Sequence, residues 1–278
     1  MSLRVPIAII ATSGDAPLDL AHTLRNQGKE PLIFSLEDIT TADFHEFEVI
    51  TVSIGAIGKM ISEMKKRQCN QLVFSGYLKR PSLPMIKPDI HGLKLLAKII
   101  SKGDDQAMKI IKDAFVKEDI EIIDPAHIIP ESFAHEGVIS GNKPDDTVFA
   151  SIRLGARMLH AASDFDIGQS CIVQGERILA VEGAEGTDAL IKRTAMFIDS
   201  DLDLAVFVKM MKTHQDPSLD PPGFGLDTIK ECVEANIKVI ALEIGRVMMF
   251  KKSDVIAEAE RQGITIYGFN ASDVTGHG

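Results

Sequence analysis

Basic residues are in the minority in this sequence: 30 Lys and Arg stand against 40 Asp and Glu, a formal net charge of −10. A chain with that balance and no long basic run lacks the electrostatic footprint of a nucleic-acid binder. Apolar runs are short as well, and none approaches the ~20 residues that a membrane-spanning helix needs. The opening residues, Met1 to Ile7, lead straight into a strand-like segment without the layout of a signal peptide. Cysteine is scarce. Cys69, Cys171 and Cys232 are far apart and odd in number, with no metal or redox spacing, which fits a reducing cytoplasm. The 8 histidines form no HxxxH or HExxH pair, and no GxSxG or nucleophilic cysteine arrangement occurs. There is no long internal repeat or low-complexity tract. What is left is an ordinary globular composition, 45% hydrophobic and 25% charged over 278 residues. That is enough chain for one or two domains whose core needs no disulfide or structural metal.

Short β-type runs alternate with helical periods. Leu3 to Ile10 reads as a buried parallel strand with Pro6 as a blemish, and Ala16 to Asn26 carries Leu20 and Leu24 at helical spacing. Pro31–Phe34 and Leu72–Phe74 are strand-like, with Ile57, Ile61 and Met64 on a helix face between them. Ala107, Ile110, Ile111, Ala114 and Phe115 fit a half-buried helix, followed by strand-like Ile120–Ile123. From Ala134 to Asp146 the pattern lapses into Gly, Pro, Asn and Asp, which predicts a linker. A helix from about Thr147 then presents Val148, Ile152, Ala156 and Leu159 on one face. Cys171–Val173 and Ile178–Val181 flank Gln174-Gly175-Glu176-Arg177 as a hairpin. Leu204–Val208 and Ile237–Leu242 bracket a helix around Ile229 and Val233, and a last helix starts at Ser253, its expected N-cap, before Ile264–Tyr267. Gly276-His277-Gly278 reads as a frayed tail. The prediction is two α/β domains of mostly parallel sheets flanked by helices. They span 1–134 and 147–278, with 135–146 as linker and a substrate cleft between the domains.

Four polar stretches stand out. Ala11-Thr12-Ser13-Gly14-Asp15-Ala16-Pro17 lies between the first strand and helix, where backbone amides and a helix N-terminus meet an anion such as phosphate. It has one glycine, so it is neither GxGxxG nor a Walker loop, and it serves equally as a capped βα turn. Gly103-Asp104-Asp105 precedes a helix, where carboxylates cap the end or bind Mg²⁺. Gly168-Gln169-Ser170 and Glu182-Gly183-Ala184-Glu185-Gly186-Thr187-Asp188-Ala189 form a second strand-to-helix turn, with Thr187 and Asp188 as caps or as ligands of ribose or phosphate. The fourth, Lys209 to Gly225, is a polar, proline-rich loop long enough to be functional rather than a mere connection. Its lysines Lys209 and Lys212 suit phosphates, and Asp216 and Asp220 suit a metal or a water.

Taken in order, these segments resemble the LpxI-type UDP-2,3-diacylglucosamine pyrophosphatases of Gram-negative lipid A biosynthesis, over nearly the whole chain. Gly168–Gln174, the piece 182–189 with EGTDA at 185–189, and the KxxKxxQDxxxDxP piece at 209–222 carry most of the resemblance, with Ser75–Pro81, Lys87-Pro88-Asp89 and Gly103–Asp105 as lesser parts. The resemblance implies that water attacks the β-phosphorus of the substrate's diphosphate, assisted by Mg²⁺ or Mn²⁺. UMP and 2,3-diacylglucosamine 1-phosphate (lipid X) are released. It implies Asp220 as the catalytic residue. It places Thr12, Ser13, Gly14, Asp15, Gly76, Gln169, Thr187, Asp188, Lys209 and Gln215 at the substrate, with Asp220, Asp216 and Asp188 as candidate metal ligands. A lipid-linked UDP-sugar is the implied partner, met in the cytoplasm at the inner membrane's surface, although no segment reads as a clear amphipathic anchor. A homo-oligomer is compatible with the sequence. The chain departs from the family pattern in its glycine-poor turn at Thr12–Ser13, in His214 where proline is usual, and in Ser218 where a basic residue is usual. A non-catalytic UDP-sugar binder descended from the enzyme is the alternative.

Overall fold

The structure is a computed structural model and describes residues 6–78 and 82–275. Leu3–Val5 of the first expected strand, Lys79-Arg80-Pro81 of the 75–81 motif and the tail Gly276-His277-Gly278 lie outside the described residues, as do the side chains of Asp104 and Asp105. The chain divides into two compact units. One holds residues up to Ile129 together with Asp216–Asp220, and the other holds Pro130–Gln215 and the residues from Pro221 onward.

The first unit runs β1 (Pro6–Ala11), α1 (Ala16–Asn26), β2 (Glu30–Leu36), β3 (Glu48–Val52), α2 (Ile57–Lys66), β4 (Gln71–Ser75), α3 (Ile90–Ile99), α4 (Asp104–Val116) and β5 (Glu121–Ile122). β1 is apolar and buried from Ile7 to Ala11, the signature of a strand covered on both faces. α1 buries Pro17, Leu20, Ala21 and Leu24, and Pro17 in its first turn sets the helical φ where no amide partner is needed. The sheet is wholly parallel in the order β3-β2-β1-β4-β5. Its strand order therefore reverses between β1 and β4, where a crevice opens beyond the strand ends. Phe34, Leu32, Met60, Met64, Leu72 and Phe115 fill the core between sheet and helices.

The second unit runs β6 (Gly137–Ser140), α5 (Asp146–Ala162), β7 (Ser170–Gln174), β8 (Arg177–Val181), α6 (Thr187–Thr194), β9 (Ala205–Lys209), β10 (Gly223–Phe224), α7 (Leu226–Glu234), β11 (Val239–Glu243), β12 (Met248–Met249), α8 (Lys252–Gln262), β13 (Thr265–Phe269) and α9 (Ala271–Thr275). Its main sheet has the order β6-β13-β11-β9-β7-β8. β9, β11 and β13 run parallel, while β6, β7 and β8 are antiparallel to their neighbours. β10 and β12 form a separate two-stranded parallel pair. Side chains alternate across the sheet as a strand's period of two requires. Cys171, Val173, Val206, Val208, Val239 and Ala241 meet the Val148/Ile152/Ala156/Leu159 face of α5. Ile172, Phe207, Ile240 and Leu242 meet Leu190, Ile229 and Val255 from the helices opposite. The α/β class, with two units of strands flanked by helices, is as expected, and the 171–181 hairpin is β7–β8 with Gly175 at φ 57°.

Three local expectations are corrected. The segment 135–146 is not a bare linker. Gly137–Ser140 pairs antiparallel with β13, so it is an edge strand that β-forming Val138 and Ile139 support despite their glycine flanks. Ser253 is not an N-cap, because α8 starts at Lys252 after Lys251 in the left-handed region at φ 50°. Thr187 and Asp188 are the first residues of α6, and Gly186 at φ 83° occupies the cap.

Candidate active site

At the reversal of strand order in the first unit lies an apolar cavity of about 410 Å³. Ile10, Leu36 and Phe74 from the strand ends, Ile57 and Met60 of α2, Leu95, Leu96 and Ile99 of α3, and Met108 and Ile111 of α4 wall it. Its polar side chains are Thr12, Ser75, Tyr77 and Asp220. Gly76, also on the wall, sits at φ +96°, and a Cβ there would lie 2.5 Å from Thr12 Oγ1. Only glycine allows that approach.

The segment 216–220 closes on itself. Ser218 donates to Asp216 Oδ1 through its amide (3.0 Å) and its hydroxyl (2.6 Å). Leu219 N donates to the Asp216 carbonyl, and Leu219 is buried in the cavity wall. From α4, Lys112 Nζ donates to Asp216 Oδ2 at 2.5 Å and to Ser218 Oγ at 3.0 Å. Burial alone would raise the Asp216 pKa. The hydrogen bonds from Lys112 and Ser218 outweigh it and hold the carboxyl below its usual range. Pinned in this way, the segment delivers the solvent-exposed Asp220 to the cavity wall. The Lys112 ammonium thus lies directly beside Ser218.

The turn at 12–15 behaves differently from an open phosphate cradle. Thr12 N and Oγ1 donate to the Ser75 carbonyl, Ser13 N to the Tyr77 carbonyl, and Gly14 N to Thr41 Oγ1 at 2.9 Å. Those three amides tie the turn to the end of β4, to Tyr77 just beyond it and to Thr41 after β2, and are not presented to a ligand. Asp15 is the N-cap of α1, and its side chain makes no capping bond.

In the second unit the strand ends carry a polar chain instead. Lys209, at the end of β9 and 4% exposed, donates from Nζ to Thr187 Oγ1 at 3.0 Å. Thr187 donates in turn to Glu182 Oε1 at 3.0 Å. The other oxygen of the buried Glu182 accepts from Ser170 Oγ and from the Gln169 amide at 3.0 Å. Gln169 Nε2 continues to the buried Gln215 Oε1 at 2.6 Å. Gln169, Thr187, Lys209 and Gln215, drawn from two separate motifs of the sequence, are joined by the fold into one hydrogen-bonded network. Glu182, their hub, was legible only as part of a motif. Glu243 accepts from Met211 N at 2.8 Å, and burial raises its carboxyl pKa. Lys212 pairs with Asp166, and His214 with Asp164 at 3.0 Å, on the exposed side of this loop. Asp188 is exposed at the start of α6.

Among the described residues no group of three or more His, Cys, Asp or Glu side chains is arranged to hold a metal. Asp216 is committed to Lys112 and Ser218, and the other carboxylate of the first unit's candidate pair, Asp220, is exposed at the cavity wall. One carboxylate supplemented by substrate oxygens and water is a common donor set for Mg²⁺ at a phosphate.

Comparison with known proteins finds two matched segments. Residues 6–132 match the LpxI N-terminal domain, and residues 135–267 match the LpxI C-terminal domain. A protein of Caulobacter vibrioides described as UDP-2,3-diacylglucosamine pyrophosphatase LpxI is 28% identical over 275 residues, 96% of this chain and 98% of the relative.

Proposed function

The chain belongs to the LpxI family, and from that premise we propose that it is a UDP-2,3-diacylglucosamine diphosphatase of lipid A biosynthesis, acting in the cytoplasm. The observation that carries this reading is the first unit's cavity. A substrate with fatty acyl chains and a diphosphate needs deep apolar volume beside a reactive polar group, and the cavity wall combines that volume with the Asp220 carboxylate. In this reading the cavity takes acyl chain and Asp220 orients the attacking water and accepts its proton. The water oxygen bonds to the β-phosphorus, the bond to the bridging oxygen breaks, and UMP leaves with lipid X as the other product. In-line displacement at phosphorus requires positioning and charge stabilisation rather than a covalent nucleophile. This agrees with the lack of any nucleophile motif. Lys209, held at a strand end by Thr187, supplies positive charge against the diphosphate. Mg²⁺ or Mn²⁺, held by Asp220 and the phosphate oxygens, would neutralise charge developing on those oxygens.

The test is release of UMP from UDP-2,3-diacylglucosamine with Mg²⁺ or Mn²⁺ and with EDTA. Release that EDTA abolishes is the expected result. Release unaffected by EDTA overturns the metal. Binding of the substrate without UMP release under either cation overturns the activity and leaves a non-catalytic binder.

A further inference from the structure

Helix α3 is apolar on two sides. A cavity-lining helix in a soluble protein normally turns one apolar stripe inward and a polar face to water. The inward stripe here is Gly92, Leu95, Leu96 and Ile99. The outward face repeats the pattern: Ile90, Leu93 and Ile100 are 76%, 60% and 53% exposed, with exposed Ala97 between the last two. Met85, just upstream, is 46% exposed. The spacing 90, 93, 97, 100 makes one continuous stripe along the helix.

Beside that stripe stand lysines. Residues 82–102 contain Lys87, Lys94, Lys98 and Lys102 and a single acidic residue, Asp89, in a chain of net charge −10. Asp89 is taken up in fold-keeping bonds, accepting from the amides of Gly92 (2.8 Å) and Lys59 (2.9 Å). Lys94 and Lys98 make no ion pair with any described residue. A Cβ on Gly92 would collide with the Gly55 carbonyl at 1.8 Å, so the start of α3 is fitted closely against the residues before α2. The outward stripe is therefore presented by an anchored helix.

We infer that the outer face of α3, with Met85 and Lys87, is a docking surface for an anionic lipid bilayer. An exposed apolar stripe flanked by lysines is the composition that settles at a headgroup boundary, with the apolar side chains below and the ammonium groups among lipid phosphates. Charge decides against a second copy of the chain: a two-fold pairing of this face would bring the same lysines together. Where the proposed hydrolase reading holds, the docking has a use. The helix that touches the bilayer also walls the cavity, so an acylated ligand has one helix thickness to cross.

The experiment is sedimentation of the full chain with vesicles of phosphatidylcholine containing phosphatidylglycerol, and with phosphatidylcholine alone. No UDP-sugar is present, so the outcome is independent of the catalytic reading. Binding to the anionic vesicles, weakened by salt, is expected. The double variant Lys94→Gln/Lys98→Gln is expected to lower partitioning by ~25-fold, about fivefold for each lysine near an anionic surface. Ile90→Ser/Leu93→Ser is expected to lower it by roughly tenfold or more by removing apolar area. These four side chains are exposed and lie outside the cavity wall, so melting temperature and hydrolysis of detergent-dispersed substrate are expected to stay unchanged. Three results would overturn the proposal. The first is no sedimentation with anionic vesicles at low salt. The second is sedimentation indifferent to both double variants. The third is a concentration-dependent dimer in analytical ultracentrifugation that Ile90→Ser/Leu93→Ser abolishes.

Discussion

The two units solve the end of a parallel sheet in opposite ways. In the first, the strand ends of β1, β2 and β4 open on an apolar cavity of about 410 Å³ with few polar groups. In the second, the strand ends and the turn before α6 are joined by Lys209, Thr187, Glu182, Ser170, Gln169 and Gln215. A cavity costs dispersion contacts, and that cost is tolerated where a ligand supplies them. A buried polar network costs desolvation, and that is tolerated only where every member is paired, which also fixes its geometry. One unit is therefore built to accept, the other to hold charge at a set place.

The sharpest way to break this contrast is at Glu182. Glu182→Ala strands the Ser170 and Thr187 hydroxyls and the Gln169 amide, and is expected to cost about 3–5 kcal/mol of stability. Calorimetry is expected to show the loss in the second unit's transition alone. An unchanged melt would mean the network is not the scaffold of that unit.

Asp220→Ala tests the other side. The side chain is exposed, so folding is expected to be unaffected while UMP release falls at least ~10²-fold, the usual size of a lost general base or charge stabiliser. Near-normal turnover in the folded variant would remove Asp220 from the chemistry. Asp220→Asn keeps a hydrogen-bond acceptor and loses the base, which separates the two roles. Lys209→Ala is expected to weaken diphosphate binding or turnover by about 1–3 kcal/mol, the range for a charge-assisted contact. Unchanged kinetics would make it a structural partner of Thr187 only.

A smaller effect is expected from pH. The Asp216 carboxyl titrates below its unfolded value in the folded chain. Its pairing with Lys112 therefore contributes stability that is present above about pH 4 and lost as pH falls through the lower folded value. Wild type is expected to exceed Asp216→Asn by about 1–2 kcal/mol near neutrality. The gap should shrink in acid; a gap constant with pH would show that the ion pair is not its source. Smallest in stability, within about 1 kcal/mol, is Leu96→Phe, which adds volume where the cavity has room. Its expected mark is a raised KM for long-chain substrate, and an unchanged KM would show that acyl chain does not enter there.

Much of this architecture was readable as period and punctuation. The apolar runs of β1, β9 and β11 and the 148/152/156/159 face of α5 declare themselves because burial is set by local spacing. β6 is not legible because the three residues between Gly137 and Gly141 carry too little pattern to outweigh the turn-forming residues around them. At the site, the sequence could give residue types but not commitments. Thr12, Ser13 and Gly14 look like an anion cradle until the Ser75 and Tyr77 carbonyls and the Thr41 hydroxyl take their amides. Lys112 gave no signal at all, since its partners Asp216 and Ser218 lie about a hundred residues away.

That sequence distance has a consequence for synthesis. Residues up to Ile129 belong to a unit that is completed only by Asp216–Asp220. During translation at ~5–20 residues per second, the first unit waits roughly 5–20 s for the segment that walls its cavity with Leu219 and engages Lys112. Through that interval the nascent unit exposes apolar surface on the ribosome, a natural client for chaperones. A fragment ending at Ile129 would be left in the same unfinished condition permanently.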